Sequence, residues 1–318
     1  MMKKTIFAVL IVILALSAAS SSISARVAPT GDELLRSLPD GGFVFVINLN
    51  QVTQTSFWTT LSSQNKIKHG IDDMQSELAK AGVRLEDIHT VAAVFPTFGK
   101  SEPVIAISGV FNPADLVARI RSNPKTTVTS EKYKDFDVYE VANTNETGAS
   151  NNRTSFVFYD SNTAVIGKAA SVRASIDVRT GAKPGIIQNA KLSSAINQNP
   201  AASIRFAADM NASTTERLRA GQFPLDFTSV KLIFGTVDVA TNVEINATLR
   251  SDSLEPAKAM ADQLNALLGM GKAFLGSSKD PKMAPIAEAL KTITISLAET
   301  DVKISGNVTP EILSQLLR

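Results

Sequence analysis

Two histidines, His69 and His89, and no cysteine among 318 residues limit the chemistry open to this chain. Without Cys, a thiolate nucleophile and a thiolate metal site are both impossible. Neither His belongs to a spacing such as H-E-x-x-H, which would set two ring nitrogens on one helix face, so each reads as an ordinary surface or core side chain. Gly99-Lys100-Ser101 has the ending of a phosphate loop. Val94 stands where its first glycine belongs, however, and Pro103 opens a strand where that motif requires a helix. Gly269-Met270-Gly271 has Phe274 in place of the third glycine of a dinucleotide turn, and it continues a helix instead of following a strand. No G-x-S-x-G occurs, which removes the usual nucleophile elbow.

Carboxylates remain: Asp72-Asp73, Glu86-Asp87, Asp135 and Asp137 on either side of Phe136, and Asp301. Two carboxylates can divide acid and base roles when burial separates their pKa values, but on exposed helices and turns they are solvated charge. Asp135 and Asp137 share a face that could meet a cation, yet the other oxygen ligands of a calcium loop are missing from their surroundings in the sequence. Trp58, the only tryptophan, follows Phe57 at a spacing that suits helix packing better than a ligand platform. The sequence therefore assigns no catalytic residue, no cofactor-binding residue and no metal ligand, and it implies no cofactor.

The chain opens with Lys3 and Lys4, an apolar run from Ile6 to Leu16, and small residues suited to signal peptidase. Residues 1–25 read as a signal peptide, cleaved after Ile23-Ser24-Ala25, with Ser17-Ala18-Ala19 as the other site. The run is shorter than the roughly 20 apolar residues of a membrane span, so an uncleaved anchor is the alternative. With the leader gone, 30 Lys and Arg face 30 Asp and Glu. A neutral chain lacks the cationic field that draws a protein to nucleic acid or anionic lipid. Nucleic acid is thus excluded as a partner, and membrane contact is expected only through the signal segment if it stays uncleaved. A cysteine-free exported protein must hold itself together by core packing. Asn-x-Ser/Thr sites at Asn145, Asn152, Asn211, Asn246 and Asn307 fit a chain rich in Asn, Ser and Thr, and matter only in a glycosylating host.

Asp32 to Leu38 carries Leu34, Leu35 and Leu38 at helical spacing and stops at Pro39. Phe43 to Leu49 follows as a strand apolar on both faces, which suits a central strand covered on both sides or a strand in a sandwich core. Lys191 to Asn211 repeats the same order of parts. In each half a helix, a strand, a helix, a hairpin, a helix, a hairpin and a helix follow one another, with an extra strand pair in the first. Asn143 to Arg153 is a polar loop, and Thr180 to Gln188 is a boundary rich in Gly and Pro. The expected organisation is a signal peptide (1–25), a first half (26–180) and a second half (181–318). The expected fold class is α+β: two similar halves, each an antiparallel sheet with helices on one face, related by pseudo-twofold internal duplication.

The leader with DELLRSLPDGGFVFVINLN, and the later PVIAISGVFNPADLVARI, resemble uncharacterised exported bacterial proteins built from tandem strand-helix-hairpin-helix units. The resemblance spans most of the mature chain, implies a periplasmic or secreted location in a bacterial envelope, and transfers no active-site residue. The functional expectation is an exported, non-catalytic binding or scaffold protein for a protein or small-molecule ligand. The alternatives are a hydrolase whose carboxylates or Ser/Thr residues converge only in the fold, and a periplasmic domain anchored in the inner membrane.

Overall fold

A computed structural model describes residues 30–80, 82–97, 102–143, 153–212, 214–216, 225–278, 280 and 283–316. The signal segment, most of the 143–153 loop and Gly99-Lys100-Ser101 lie outside the described residues. The chain is α+β and its sheet is antiparallel throughout.

The first helix, α1 (Gly31–Leu35), starts at a capping box: Glu33 N–H donates to Thr30 Oγ1, and Thr30 N–H donates to the Glu33 carboxylate at 2.6 Å. The strand β1 (Phe43–Asn48) runs directly into α2 (Leu49–Thr53), because Asn48 Oδ1 accepts the Gln51 N–H at 3.1 Å and so caps the helix as the strand ends. Two helices follow, α3 (Ser56–Ser62) and α4 (Asn65–Lys80). Gly82 ends α4 at φ +76°, a left-handed conformation that a side chain would strain. Next come β2 (Ile88–Phe95), β3 (Val104–Gly109) and α5 (Pro113–Ser122), where Asn112 caps and Pro113 opens the helix as its sequence dictates. The first half finishes with β4 (Thr126–Tyr133), β5 (Phe136–Asn143), β6 (Arg153–Phe158), β7 (Thr163–Gly167) and α6 (Ala169–Arg179).

The second half contains α7 (Ala190–Ile196), β8 (Ile204–Asp209), β9 (Val230–Val239) and β10 (Val243–Ser251). It continues with α8 (Leu254–Ser277), α9 (Ala284–Thr292), β11 (Thr294–Ala298), β12 (Asp301–Val308) and α10 (Pro310–Leu316).

Two features differ from the expectation. The two sheets are one: twelve strands in the order β11-β12-β10-β9-β8-β1-β2-β3-β7-β6-β5-β4, joined where β1 pairs with β8. Phe45 lies opposite Phe206 at that seam. Outward from it, β8-β9-β10-β12-β11 and β1-β2-β3-β7-β6 follow the same order, with β4 and β5 added at the edge of the first half.

The helices, moreover, cover both faces and not one. The reason is in β1, whose Val44 and Val46 point one way and Phe45 and Ile47 the other, so each side must be taken out of water. On one face Leu34, Leu35, Leu38, Val172, Ile176, Leu192 and Ile196 from α1, α6, α7 and the turn after α1 pack on Val44, Val46, Ala92, Val94, Val104 and Ala207. On the other, Leu49, Val52, Phe57, Trp58, Leu61 and Ile71 from α2, α3 and α4 pack on Phe45, Ile47, Val91 and Ala93. Each such side chain, removed from water, contributes about 1.5–3 kcal/mol to folding. Farther along that second face, Ala257, Met260 and Ala261 of α8 pack on Leu249 and Val302.

The strand sequences record which positions receive a helix. Where α6 covers the first face, β6 and β7 present Val157 and Val165. On the same face of the second half, β10 presents Glu244, Asn246 and Thr248, β12 presents Lys303 and Ser305, and no helix of the described residues closes over them.

Candidate functional site

Polar side chains converge most densely where the β4-β5 turn meets α6. Lys134, held at φ 52° in that turn, reaches back to Asp177 of α6 at 2.7 Å, the Tyr133 hydroxyl donates to the same carboxylate at 2.9 Å, and Lys183 adds a third contact at 3.0 Å. Hydrogen bonds from the Lys134 and Lys183 ammonium groups, with that of Tyr133, hold the Asp177 carboxyl well below the usual carboxylate range. Beside it the Tyr159 hydroxyl meets Ser175 Oγ at 2.7 Å. Burial pushes Tyr159 up to about 12, against the Ser175 hydrogen bond and the Arg179 guanidinium 4.4 Å from its ring centre. A tyrosine so protonated and a carboxylate so fully paired offer neither a base nor a nucleophile near neutral pH. The cluster instead fastens the hairpin to α6.

A depressed folded pKa means that the Asp177 contribution is complete above the unfolded carboxylate pKa and is lost as pH falls through the folded value. Acidification below about pH 4 is therefore expected to loosen the β4-β5 hairpin, with faster amide exchange there than in β1 or β2. Asp177→Asn should bring the same loosening at neutral pH; equal exchange in wild type and variant would refute this role.

The carboxylates singled out in the sequence are dispersed. Asp72 and Asp73 are exposed on α4, Asp87 pairs with Arg84 at 2.8 Å, Asp137 with Lys132 at 3.1 Å, and Asp301 takes two hydrogen bonds of 2.8 Å from Arg250. Asp135 is exposed on the β4-β5 turn. His69 is exposed on α4, while burial lowers the pKa of His89, opposed by Asp87. No group of three His, Cys, Asp or Glu that could hold a metal occurs among the described residues. Gly269-Met270-Gly271 lies inside α8.

The second sheet face is the site that distinguishes this fold. Register puts Phe43, Phe45, Phe95, Ile105, Ile107, Ile204, Phe206 and Val237 on it, without a charged residue among them. Phe43, Phe45 and Phe95 form a triangle with ring centres 5.5–6.1 Å apart. Phe206 continues it across the seam with its Cζ over Gly235, where an added Cβ would lie 2.8 Å from that atom.

Cover is uneven, and alternate residues of one strand show it. In β3, Val104 and Ala106 on the first face are 1% and 0% exposed, while Ile105 and Ile107 on the second remain partly exposed. The same contrast separates Ala207 from Ile204 and Phe206 in β8. Helices α2 to α4 seal the middle of the second face around Ile47, Val91 and Ala93 but leave both flanks within reach of solvent. Such a surface can hold an apolar molecule by the hydrophobic effect. Trp58, 2% exposed, stands in the helix layer above it, as its spacing with Phe57 implied.

No protein-family model matches the chain. No curated protein matches it either. Among solved structures it is similar to two crystal forms of TP0453. Form IV has 10% identity and a TM-score of 0.46, and form I has 9% and 0.45; each comparison covers 89% of this chain and 95% of the other.

Proposed function

We propose that the chain is an exported, non-catalytic binding protein whose ligand is an uncharged, largely hydrocarbon molecule held on the flanks of the second sheet face. The observation that carries this reading is the exposure contrast within β3 and β8. Ordinary packing would bury central-strand Ile and Phe on both faces, and in β3 and β8 the first face is closed while Ile105, Ile107, Ile204 and Phe206 on the second are not. A charged or strongly polar ligand would lose its hydration on this face without finding a partner.

Trp58 makes the test direct. Addition of the uncharged probe N-phenylnaphthylamine is expected to give saturable probe fluorescence with matching loss of Trp58 emission, and Ile107→Trp, which fills the flank, should weaken the binding about tenfold. A strictly linear, unsaturable response would end the proposal.

The leader and the neutral charge that remains after it support a periplasmic or secreted location. Mass spectrometry of the isolated chain should find Arg26 at its N-terminus, whereas an intact leader would favour the anchored alternative. No helix of the described residues is long and apolar enough to cross a membrane.

The equal strand order on the two sides of the seam supports an origin of 26–180 and 181–318 by duplication, in keeping with the tandem units that the sequence resembles. A chain made of two copies of 181–318 is then expected to fold around a β8-β8 seam. Failure to obtain a folded product would count against duplication.

A further inference from the structure

Large apolar side chains left in water gather at one end of the molecule. Of the six exposed ones, Leu254, Met270 and Phe274 belong to α8 and Leu297 to β11, leaving only Val110 and Ile245 elsewhere among the described residues. The helix is outermost there: α8 contacts β11, β12 and α9, α9 contacts α10, and α10 contacts α3. Its first half is amphipathic, with Ala257, Met260 and Ala261 buried and Glu255, Lys258 and Asp262 in water.

Beyond Asn265 the outward side turns apolar as well. Ala266, Gly269, Met270, Ala273 and Phe274 are exposed, Phe274 at 73%, and the one charge of that stretch, Lys272, donates to the Ile293 carbonyl at 3.3 Å. A helix apolar on all sides is a buried helix. Gly269 and Gly276 weaken it, yet a Cβ at either would meet nothing within 4 Å, so no neighbour among the described residues requires them.

The adjoining sheet edge is open in the same sense. β11 is a terminal strand with no charge, proline or register shift, and Leu297 is 36% exposed. The opposite edge, β4, carries Glu131 and Lys132, ion-paired to Arg173 and Asp137. Charges of that kind keep a sheet edge from pairing with another chain, and β11 has none.

We infer that two copies of the chain associate through this end, β11 pairing antiparallel with β11 of the second copy and α8 packing against its α8. The twofold axis that makes identical edge strands antiparallel stands perpendicular to the sheet, so it lays the two helices antiparallel on one face. Ala266, Gly269 and Ala273 let their backbones approach and receive Met270 and Phe274 of the other copy. With 24 residues, α8 is about 36 Å long, and helix plus sheet edge present a strip about 20 Å deep. Each copy would cover on the order of 700 Å², within the roughly 600–1,000 Å² per partner of stable pairs. A lipid surface fits less well: interfacial helices carry bulky apolar side chains below a face rich in Lys and Arg, and here glycine and alanine alternate with two large residues.

Sedimentation velocity on the isolated chain and on Gly269→Leu, Phe274→Asp and Ser296→Pro tests this, with Thr129→Lys on β4 as control. The wild type and control are expected to dimerise, and the three variants to dissociate at least tenfold more readily. Gly269→Leu is the decisive one, because the leucine meets open space in the monomer and strengthens the helix, so its thermal midpoint should not fall. A wild type that stays monomeric at all concentrations, or a dimer that survives all three variants, overturns the inference. Flotation of the wild type with phosphatidylglycerol vesicles, lost in Phe274→Asp while no dimer forms, overturns it in favour of a lipid surface.

Discussion

Asp32→Ala is expected to lower the stability of the fold by about 3 kcal/mol, the low end of what it costs to strand a buried charge. The charge is Arg205 of β8, only 4% exposed, whose Nη2 donates to Asp32 at 2.8 Å while Nη1 donates to Asn197 Oδ1 at 3.0 Å and, at 3.4 Å, to the Ile196 carbonyl. It fastens α1 of one half and the end of α7 to a strand of the other. The asymmetry of the pair makes the prediction specific, since the Asp32 side chain is 48% exposed. Losing Arg205 leaves a carboxylate that water can reach, whereas losing Asp32 leaves a guanidinium that water cannot. Arg205→Met, similar in volume and apolar, is accordingly expected to cost about 1 kcal/mol or less. Denaturant unfolding of the two variants checks the order, and equal losses would show that the pair acts only through packing.

The second large effect separates two phenylalanines that face each other across the seam. Phe45 is 6% exposed and belongs to the aromatic triangle, and Phe45→Ala should cost about 3–5 kcal/mol through lost burial and a residual cavity. Phe206 is partly exposed already, so Phe206→Ala should cost less than half as much in stability while weakening the binding of N-phenylnaphthylamine about tenfold. Urea unfolding and probe titration on the same two proteins give both readouts. If Phe206→Ala unfolds as readily as Phe45→Ala and binds normally, the open flank is merely a poorly packed core.

Much of the framework was legible in residue order. Pro39, Asn112-Pro113 and Gly82 punctuate the chain where local chemistry requires, and the two-sided apolar pattern of Phe43 to Leu49 marked an interior strand without deciding between helices on both faces and a sandwich core. What sequence could not supply was the seam. Pairing of β1 with β8 depends on which edges two separately plausible sheets leave free, and no local spacing encodes that. The site was hidden for a related reason. Alternation in Ile204-Arg205-Phe206 tells which residues share a face, but whether a helix arrives over that face is decided by elements far away in the chain. The same alternation, read with the seam, would have put Arg205 on the side of α1. Asp177 lacked any signal, since its partners Tyr133 and Lys134 reach it through a hairpin whose direction only the fold sets.

The seam also governs how the molecule comes to be. Phe45 and Phe206 lie about 160 residues apart along the chain, so their pairing closes a very long loop and is slow compared with the hairpins on either side. Each half can assemble its own strand pairs first, and until the two meet, β1 on β2 and β8 on β9 are apolar edge strands, each with one side open to the wrong neighbour. For a chain that emerges N-terminus first, that interval lasts at least until residue 209 is free to pair. A chaperone that holds the emerging chain, or synthesis fast enough to shorten the wait, would then decide the yield of folded protein more than its final stability does.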